Sequence, residues 1–214
     1  MDLSNPINSV VPSAHGSVLA VLSRTTEPLS GRAVASLTDG RVGQWRANEI
    51  LGELSDAGIV LREHRPPAKL HRLNRDHVAA EGITALADQW NTLLDRVKDE
   101  LAQWELAPVT ACMFGSAARG QGGPGSDIDI LLVPSDDLAA SEDIEEAWQA
   151  QADRLVAKVR SWSGNPCEVL ELTLAEISAA VARDDRLAND LRRDALPLAG
   201  RDIRTILRPK VARR

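Results

Sequence analysis

The stretch MFGSAARGQGGPGSDIDILLV, residues 113–133, constrains the fold more than any other part of this sequence. Its two apolar ends predict β-strands, and the glycines between them predict a turn and a loose loop. Side chains at positions i and i+2 of a strand lie on one face, so Asp127 and Asp129 should point the same way. Their neighbours Ile128 and Ile130 would then point into the core. The stretch predicts two carboxylates side by side on one strand face.

Two adjacent carboxylates repel each other unless a cation lies between them. Oxygen ligands on a strand suit Mg²⁺ or Mn²⁺, which keeps several waters and also takes phosphate oxygens from a substrate. The turn upstream offers the complement, because the backbone amides of Gly115 and Ser116, with the Ser116 hydroxyl, can bind phosphates. The pattern favours a metal and phosphate site. The alternative is a pair of solvated strand-edge aspartates beside a flexible turn.

Other phosphate-binding motifs do not fit the stretch. No Gly-Lys-Ser/Thr occurs in the chain, which excludes a Walker A loop. The glycines also do not form G-x-G-x-x-G directly after the strand, as a Rossmann fingerprint requires.

The combination GSAARG…SDIDILLV resembles the signature of the DNA polymerase β-type nucleotidyltransferase superfamily, particularly its minimal and antibiotic-modifying members. The resemblance covers residues from about 109 to 172. It implies a mixed sheet flanked by helices, two divalent metal ions (Mg²⁺ or Mn²⁺), and an NTP substrate. The reaction it implies moves a nucleoside monophosphate to an acceptor and releases pyrophosphate. The shared motif does not encode the acceptor.

Carried over by position, the resemblance makes Asp127 and Asp129 the metal-binding catalytic pair. Gly115 and Ser116 match the phosphate-holding pair. The predicted nucleotide-binding residues are Gly115, Ser116, Arg119 and Ser126. For Arg119 a surface salt bridge is a second interpretation beside phosphate contact.

The resemblance also implies a third catalytic and metal-binding carboxylate from a neighbouring strand, which PCEVLEL should provide. Glu168 and Glu171 are three residues apart, so in a regular strand they face opposite sides and only one can join the site. Glu168 is favoured because CEV resembles the family pattern, but Glu171 also lies between apolar residues. One or both could instead be solvated strand residues.

The first 78 residues predict three short helices and a hairpin. Apolar residues recur at helical spacing in HGSVLAVLSRT, in SGRAVASL with Ser30 as N-cap, and in VGQWRANEILGELSDAG up to Gly58. IVLREHRPPAKLHRLN then alternates as two strands. This arrangement is that of a winged helix-turn-helix, and the segments resemble winged-helix domains that precede nucleotidyltransferase domains in some bacterial proteins.

A recognition helix presents its N-terminal residues to base edges, which predicts DNA contacts from Gln44, Arg46 and Asn48. Trp45 belongs either to this surface or to the core. Arg62, Arg65, Lys69 and Arg72 would form a basic wing, diluted by nearby acids such as Glu49 and Glu63. A dimerisation or protein-docking module is the alternative, with a homodimer as one possible outcome.

The predicted fold class is α+β, with a winged helix-turn-helix domain at residues 1–78 and a nucleotidyltransferase domain with C-terminal helices at 79–214. The second domain should begin with one long helix in ITALADQWNTLLDRVKDELAQW and contain another in SEDIEEAWQAQADRLVAKVRSWSG, closed by Gly164. After PCEVLEL, the remainder is expected to be helical and rich in arginine.

Composition limits the remaining possibilities. The net charge of −6 argues against wholesale electrostatic binding of nucleic acid. Neither a run of 18 apolar residues nor a signal-like N-terminus occurs, so we expect a cytoplasmic protein with no membrane partner. Cys112 and Cys167 lack metal-ligand spacing, which favours reduced, buried thiols.

Two functions follow: a metal-dependent nucleotidyltransferase whose winged domain recognises DNA, RNA or a partner, or a DNA-binding transcriptional regulator whose nucleotidyltransferase fold is a nucleotide sensor.

Overall fold

The computed structural model describes residues 1–136 and 141–207. It divides into two compact units, which we call the N-terminal unit (Ser4–Trp90) and the C-terminal unit (Asn91–Arg214). None of the described helices is both long and apolar enough to span a membrane.

The N-terminal unit consists of short helices and a small antiparallel sheet of strand order β1-β3-β2. Its elements are a 3₁₀-helix (Pro6–Ser9), α1 (Ala14–Ser23), β1 (Leu29–Ser30), α2 (Gly31–Leu37), α3 (Gln44–Asp56), β2 (Val60–Arg65), β3 (Ala68–Leu73) and α4 (Ala80–Ala87).

Local sequence signals explain several boundaries in this unit. The Ser30 hydroxyl accepts a hydrogen bond from the Ala33 amide (3.2 Å), as expected of an N-cap. After α3, Gly58 adopts a left-handed φ of 74°, where the chain turns into the hairpin. Trp45 is 75% exposed, so of its two predicted positions the structure shows the one on the surface. The order of three helices and a hairpin is the predicted one, while the winged-helix assignment itself stays a prediction.

The N-terminal unit extends beyond the domain boundary that we predicted at residue 78. Ala80, Ile83 and Ala87 of α4 pack into the same apolar core as α1 and α3. The single long helix predicted for this region is two helices, because Asp88 leaves the helical conformation (φ −100°, ψ 12°) between α4 and α5 (Gln89–Ala102).

The C-terminal unit is built on a four-stranded sheet of order β6-β5-β4-β7. β4 runs antiparallel to both β5 and β7, whereas β5 and β6 are parallel. A mixed sheet flanked by helices is therefore confirmed. Beyond α5, its elements are β4 (Thr110–Phe114), α6 (Gly115–Ala118), β5 (Ile128–Val133), α7 (Glu142–Ser163), β6 (Cys167–Glu171), α8 (Leu174–Ala182), α9 (Arg186–Asp194), β7 (Leu196–Gly200) and α10 (Ile203–Ile206).

The predicted α7 is present with its terminal signals. The Ser141 hydroxyl accepts a hydrogen bond from the Ile144 amide, and Gly164 ends the helix with φ 73°. The prediction that everything after β6 is helical is wrong, since LPLAG forms β7. This strand is short and contains Pro197, and it pairs with β4 at the edge of the sheet, where a missing amide is tolerated. Both cysteines are free thiols, Cys112 buried and Cys167 half-buried.

Candidate active site

The two aspartates lie where β5 begins. Asp127 immediately precedes the strand and is exposed, and Asp129 is its second residue and is half-buried. Ile128 and Ile130 are completely buried. This alternation is the one that the spacing D-x-D predicts for a strand with one apolar face.

Strand register brings Glu168 to this pair. On the parallel strands β5 and β6, Asp129 is the direct partner of Glu168, so the two side chains share a face. Glu171 instead pairs in register with Leu132, and its carboxylate accepts a hydrogen bond from Trp148 Nε1 (2.9 Å). Of the two candidates for the third carboxylate, the structure places only Glu168 beside Asp129.

The grouped carboxylates accumulate uncompensated negative charge. Burial raises the pKa of Asp129, and the charges of Glu168 and then Asp127 raise it further. Among the described residues, no Lys or Arg forms an ion pair with any of the three. The described side chains therefore do not balance this negative charge, and a bound cation would do so.

Gly115 closes the site from the end of β4. It follows Phe114, the register partner of Asp129, and adopts a left-handed φ of 75°. A Cβ at this position would clash with Asp129 Oδ2 and lie 3.4 Å from Asp129 Cγ. Glycine is thus favoured here by its backbone conformation, and it leaves room for the Asp129 carboxylate. Sequence reasoning assigned Gly115 to phosphate approach and missed the room that it leaves for the carboxylate, since that depends on the β4–β5 register.

The remaining loop residues have defined local roles. Ser116 lies next to Gly115 in α6 and is half-buried. The Ser126 hydroxyl accepts a hydrogen bond from the Gly123 amide (2.9 Å), and its carbonyl accepts one from Asn165 Nδ2 (3.0 Å). Ser126 therefore shapes the loop before Asp127 and ties it to the segment before β6.

Arg119 is committed to an ion pair. Its Nη1 donates to Asp194 Oδ2 at 2.6 Å, and Arg193 Nη2 approaches the same oxygen at 2.8 Å. The side chain of Asp194 is only 5% exposed, and hydrogen bonds from both arginines hold its pKa down at about 2. The salt bridge is the arrangement that the structure contains. Asp194 carries no motif that marks it in the sequence.

The carboxylate oxygens of this site are the type of ligand that a hard divalent cation prefers. Among the described residues, no three His, Cys, Asp or Glu side chains converge closely enough to enclose an ion by themselves. Mg²⁺ commonly takes one or two protein carboxylates and completes its shell with water and phosphate oxygens. Asp127, Asp129 and Glu168 supply oxygen ligands and negative charge of that type.

The predicted DNA contacts lie on the first turns of α3. Arg46 is ion-paired with Glu49 and lies 3.6 Å from Glu53, so its charge is already engaged. Asn48 packs against Gly31, where an added Cβ would overlap its side-chain oxygen. Gln44 is exposed at the helix start. DNA binding by these residues stays a prediction.

Comparisons with known proteins gave a family-model match and matches to solved structures. No curated protein matches the chain. One solved structure, described as the crystal structure of a toxin-antitoxin with AMP-PNP, is 20% identical; the match covers 52% of this chain and 76% of that one, with a TM-score of 0.35. Residues 94–180, which include Gly115, Asp127, Asp129 and Glu168, match the family model of the nucleotidyltransferase domain.

Proposed function

We propose that the C-terminal unit is a metal-dependent nucleotidyltransferase that transfers a nucleoside monophosphate from an NTP to a hydroxyl-bearing acceptor. One observation carries the proposal: Asp129 and Glu168 are register partners on adjacent strands, with Asp127 one residue before the strand and Gly115 making room for Asp129. A merely solvated pair of aspartates would require neither the glycine nor the third carboxylate.

The three carboxylates and the turn at Gly115 and Ser116 would have different parts in this reaction. Asp127, Asp129 and Glu168 would hold Mg²⁺ or Mn²⁺, and the backbone at Gly115 and Ser116 would bind the triphosphate. Bound divalent ions lower the pKa of an attacking hydroxyl and neutralise charge on the leaving pyrophosphate. The chain mainly positions reactants and balances charge.

The hydroxyl proton released during transfer needs a base to receive it. The acceptor oxygen forms a bond to the α-phosphorus as the bond from that phosphorus to pyrophosphate breaks. Of the two register partners, Glu168 is exposed and Asp129 is half-buried, so Glu168 offers the more accessible carboxylate oxygen to take the hydroxyl proton.

The test is label transfer from each of the four α-³²P-labelled NTPs, with Mg²⁺ and a cell extract as the source of acceptors. We expect one or more labelled acceptors with the wild type and none with Asp129→Asn, provided that circular dichroism shows the variant folded. Equal labelling by both proteins would refute the assignment. Tight NTP binding without any labelling would favour the nucleotide-sensor alternative.

For the N-terminal unit we propose a recognition role, for which Trp45 is the main support. Trp45 is 75% exposed at the start of α3, the part of the helix that a recognition helix presents to its partner, and Gln44 and Asn48 are exposed beside it. Electrophoretic shift assays with duplex DNA at low salt test the DNA version of this role. Loss of a shift in Gln44→Ala and Asn48→Ala would support it, and no shift by the wild type would favour a protein partner.

A further inference from the structure

The N-terminal unit contains an open cavity of about 780 Å³ between the β2–β3 hairpin, the start of α2 and one side of α3. We call it the basic cavity. Among the described residues, three cations line it and no carboxylate does. Its polar lining residues include Arg32, Gln44, Asn48, Arg62, Lys69 and His71.

The cations of this cavity are available for a ligand. None of Arg32, Arg62 and Lys69 forms an ion pair with a carboxylate in the described part of the N-terminal unit. A concentration of unpaired positive charge is unexpected in a chain of net charge −6. Such a concave surface attracts anions.

The hairpin sorts its basic residues by face. Arg62 pairs in register with His71, and Lys69 lies two residues before His71 on β3, so these three share one face. On the opposite face, Glu63 neutralises its neighbours, lying 3.1 Å from Arg65 and 3.4 Å from Arg72. The sequence suggested one basic wing. In the structure, Arg65 and Arg72 form ion pairs with Glu63, whereas Arg62 and Lys69, on the opposite face, form none among the described residues.

His71 lies on the same wall of the basic cavity and is almost completely buried. Its residue exposure is 5%, and its Nδ1 is buried with no hydrogen-bond partner among the described residues. Burial lowers the pKa of His71 and the charge of Arg62 lowers it further, while a hydrogen bond with the Leu29 backbone opposes the shift. The positive charge of the basic cavity therefore rests on Arg32, Arg62 and Lys69 rather than on this ring.

We propose that the basic cavity binds a small molecule that carries a phosphate or diphosphate group. Two arginines and a lysine match an anion with several oxygens, and the volume lies within the usual range for small-molecule sites. The outward side of α3 is acidic at Glu49, Glu53 and Asp56, so for the recognition role proposed above a small phosphate-bearing ligand is favoured over a nucleic-acid duplex. The cavity shares no residue with the site proposed for nucleotidyl transfer.

Calorimetric titration of the full chain with pyrophosphate, in EDTA so that no divalent ion supports the C-terminal site, tests the proposal. Arg62→Ala/Lys69→Ala should weaken binding by ~10-fold or more, because it removes two charged ligands. Arg65→Ala/Arg72→Ala is the matched control: it removes the same charge from the same hairpin on the opposite face. We expect its affinity to stay within about 2-fold of the wild type.

A second variant guards against loss of the fold. Asn48→Asp places one carboxylate at the cavity on an exposed helix position and should also weaken pyrophosphate binding. Equal affinity losses in both double variants would show general electrostatics and overturn the proposal, as would no loss in Arg62→Ala/Lys69→Ala. A duplex that binds through Arg62 and Lys69 while pyrophosphate does not would identify a nucleic-acid surface instead.

Discussion

Replacing Gly115 with alanine tests whether this glycine serves only the backbone conformation or also positions the Asp129 carboxylate for nucleotidyl transfer. An alanine at φ 75° costs about 1–2 kcal/mol of folding free energy. The new Cβ also meets Asp129 Oδ2, which must move by on the order of 1 Å to reach van der Waals separation. Misplacement of that size commonly costs ~100-fold in rate. We therefore expect Gly115→Ala to fold and to lose nucleotidyl transfer by about that factor.

Gly164→Ala provides the matched control. Gly164 has φ 73° at the end of α7, and a Cβ there would meet nothing within 4 Å. Both variants should lower the melting temperature by similar amounts, roughly 2–8 °C. Thermal unfolding and label transfer measure the two effects separately. Transfer at the wild-type rate by Gly115→Ala, or an equal loss in Gly164→Ala, would refute the reasoning.

Three further predictions concern the C-terminal unit. Glu168→Gln should reduce the rate of label transfer at least ~100-fold, while its NTP affinity in a binding titration stays unchanged. Glu171→Gln keeps an acceptor oxygen for Trp148 Nε1 and should transfer label at near the wild-type rate. The reverse result would exchange the roles of the two residues. EDTA should abolish transfer and added Mg²⁺ or Mn²⁺ should restore it in the wild type; activity that persists in EDTA would exclude the metal mechanism. Asp194 has a folded-state pKa of about 2 against ~3.9 when unfolded, so its stabilising contribution is present above pH ~4 and is lost as pH falls toward 2. Asp194→Asn should therefore flatten the loss of stability in that range, as followed by urea unfolding, and an unchanged pH profile would contradict the role of its ion pairs.

The sequence by itself determined the local features of this protein. Apolar periodicity and end signals located α2 at Ser30 and α7 between Ser141 and Gly164, because a helix start or stop depends on neighbouring residues. The D-x-D spacing likewise determined that Asp127 and Asp129 flank a buried isoleucine, since strand alternation is a property of a few consecutive residues.

Tertiary structure decided which distant residues meet. The choice between Glu168 and Glu171 depends on the register of β6 against β5, and a shift of one residue would reverse the faces. Arg119 meets Asp194 across 75 positions of sequence, and Gly115 makes room for Asp129 only because β4 and β5 pair as they do. The LPLAG of β7 contains Pro and Gly and no β-branched residue, so no local signal marks it as a strand, and it is held by its pairing with β4. In each case the deciding interaction joins segments far apart in the chain, and no local pattern of side chains encodes such a pairing.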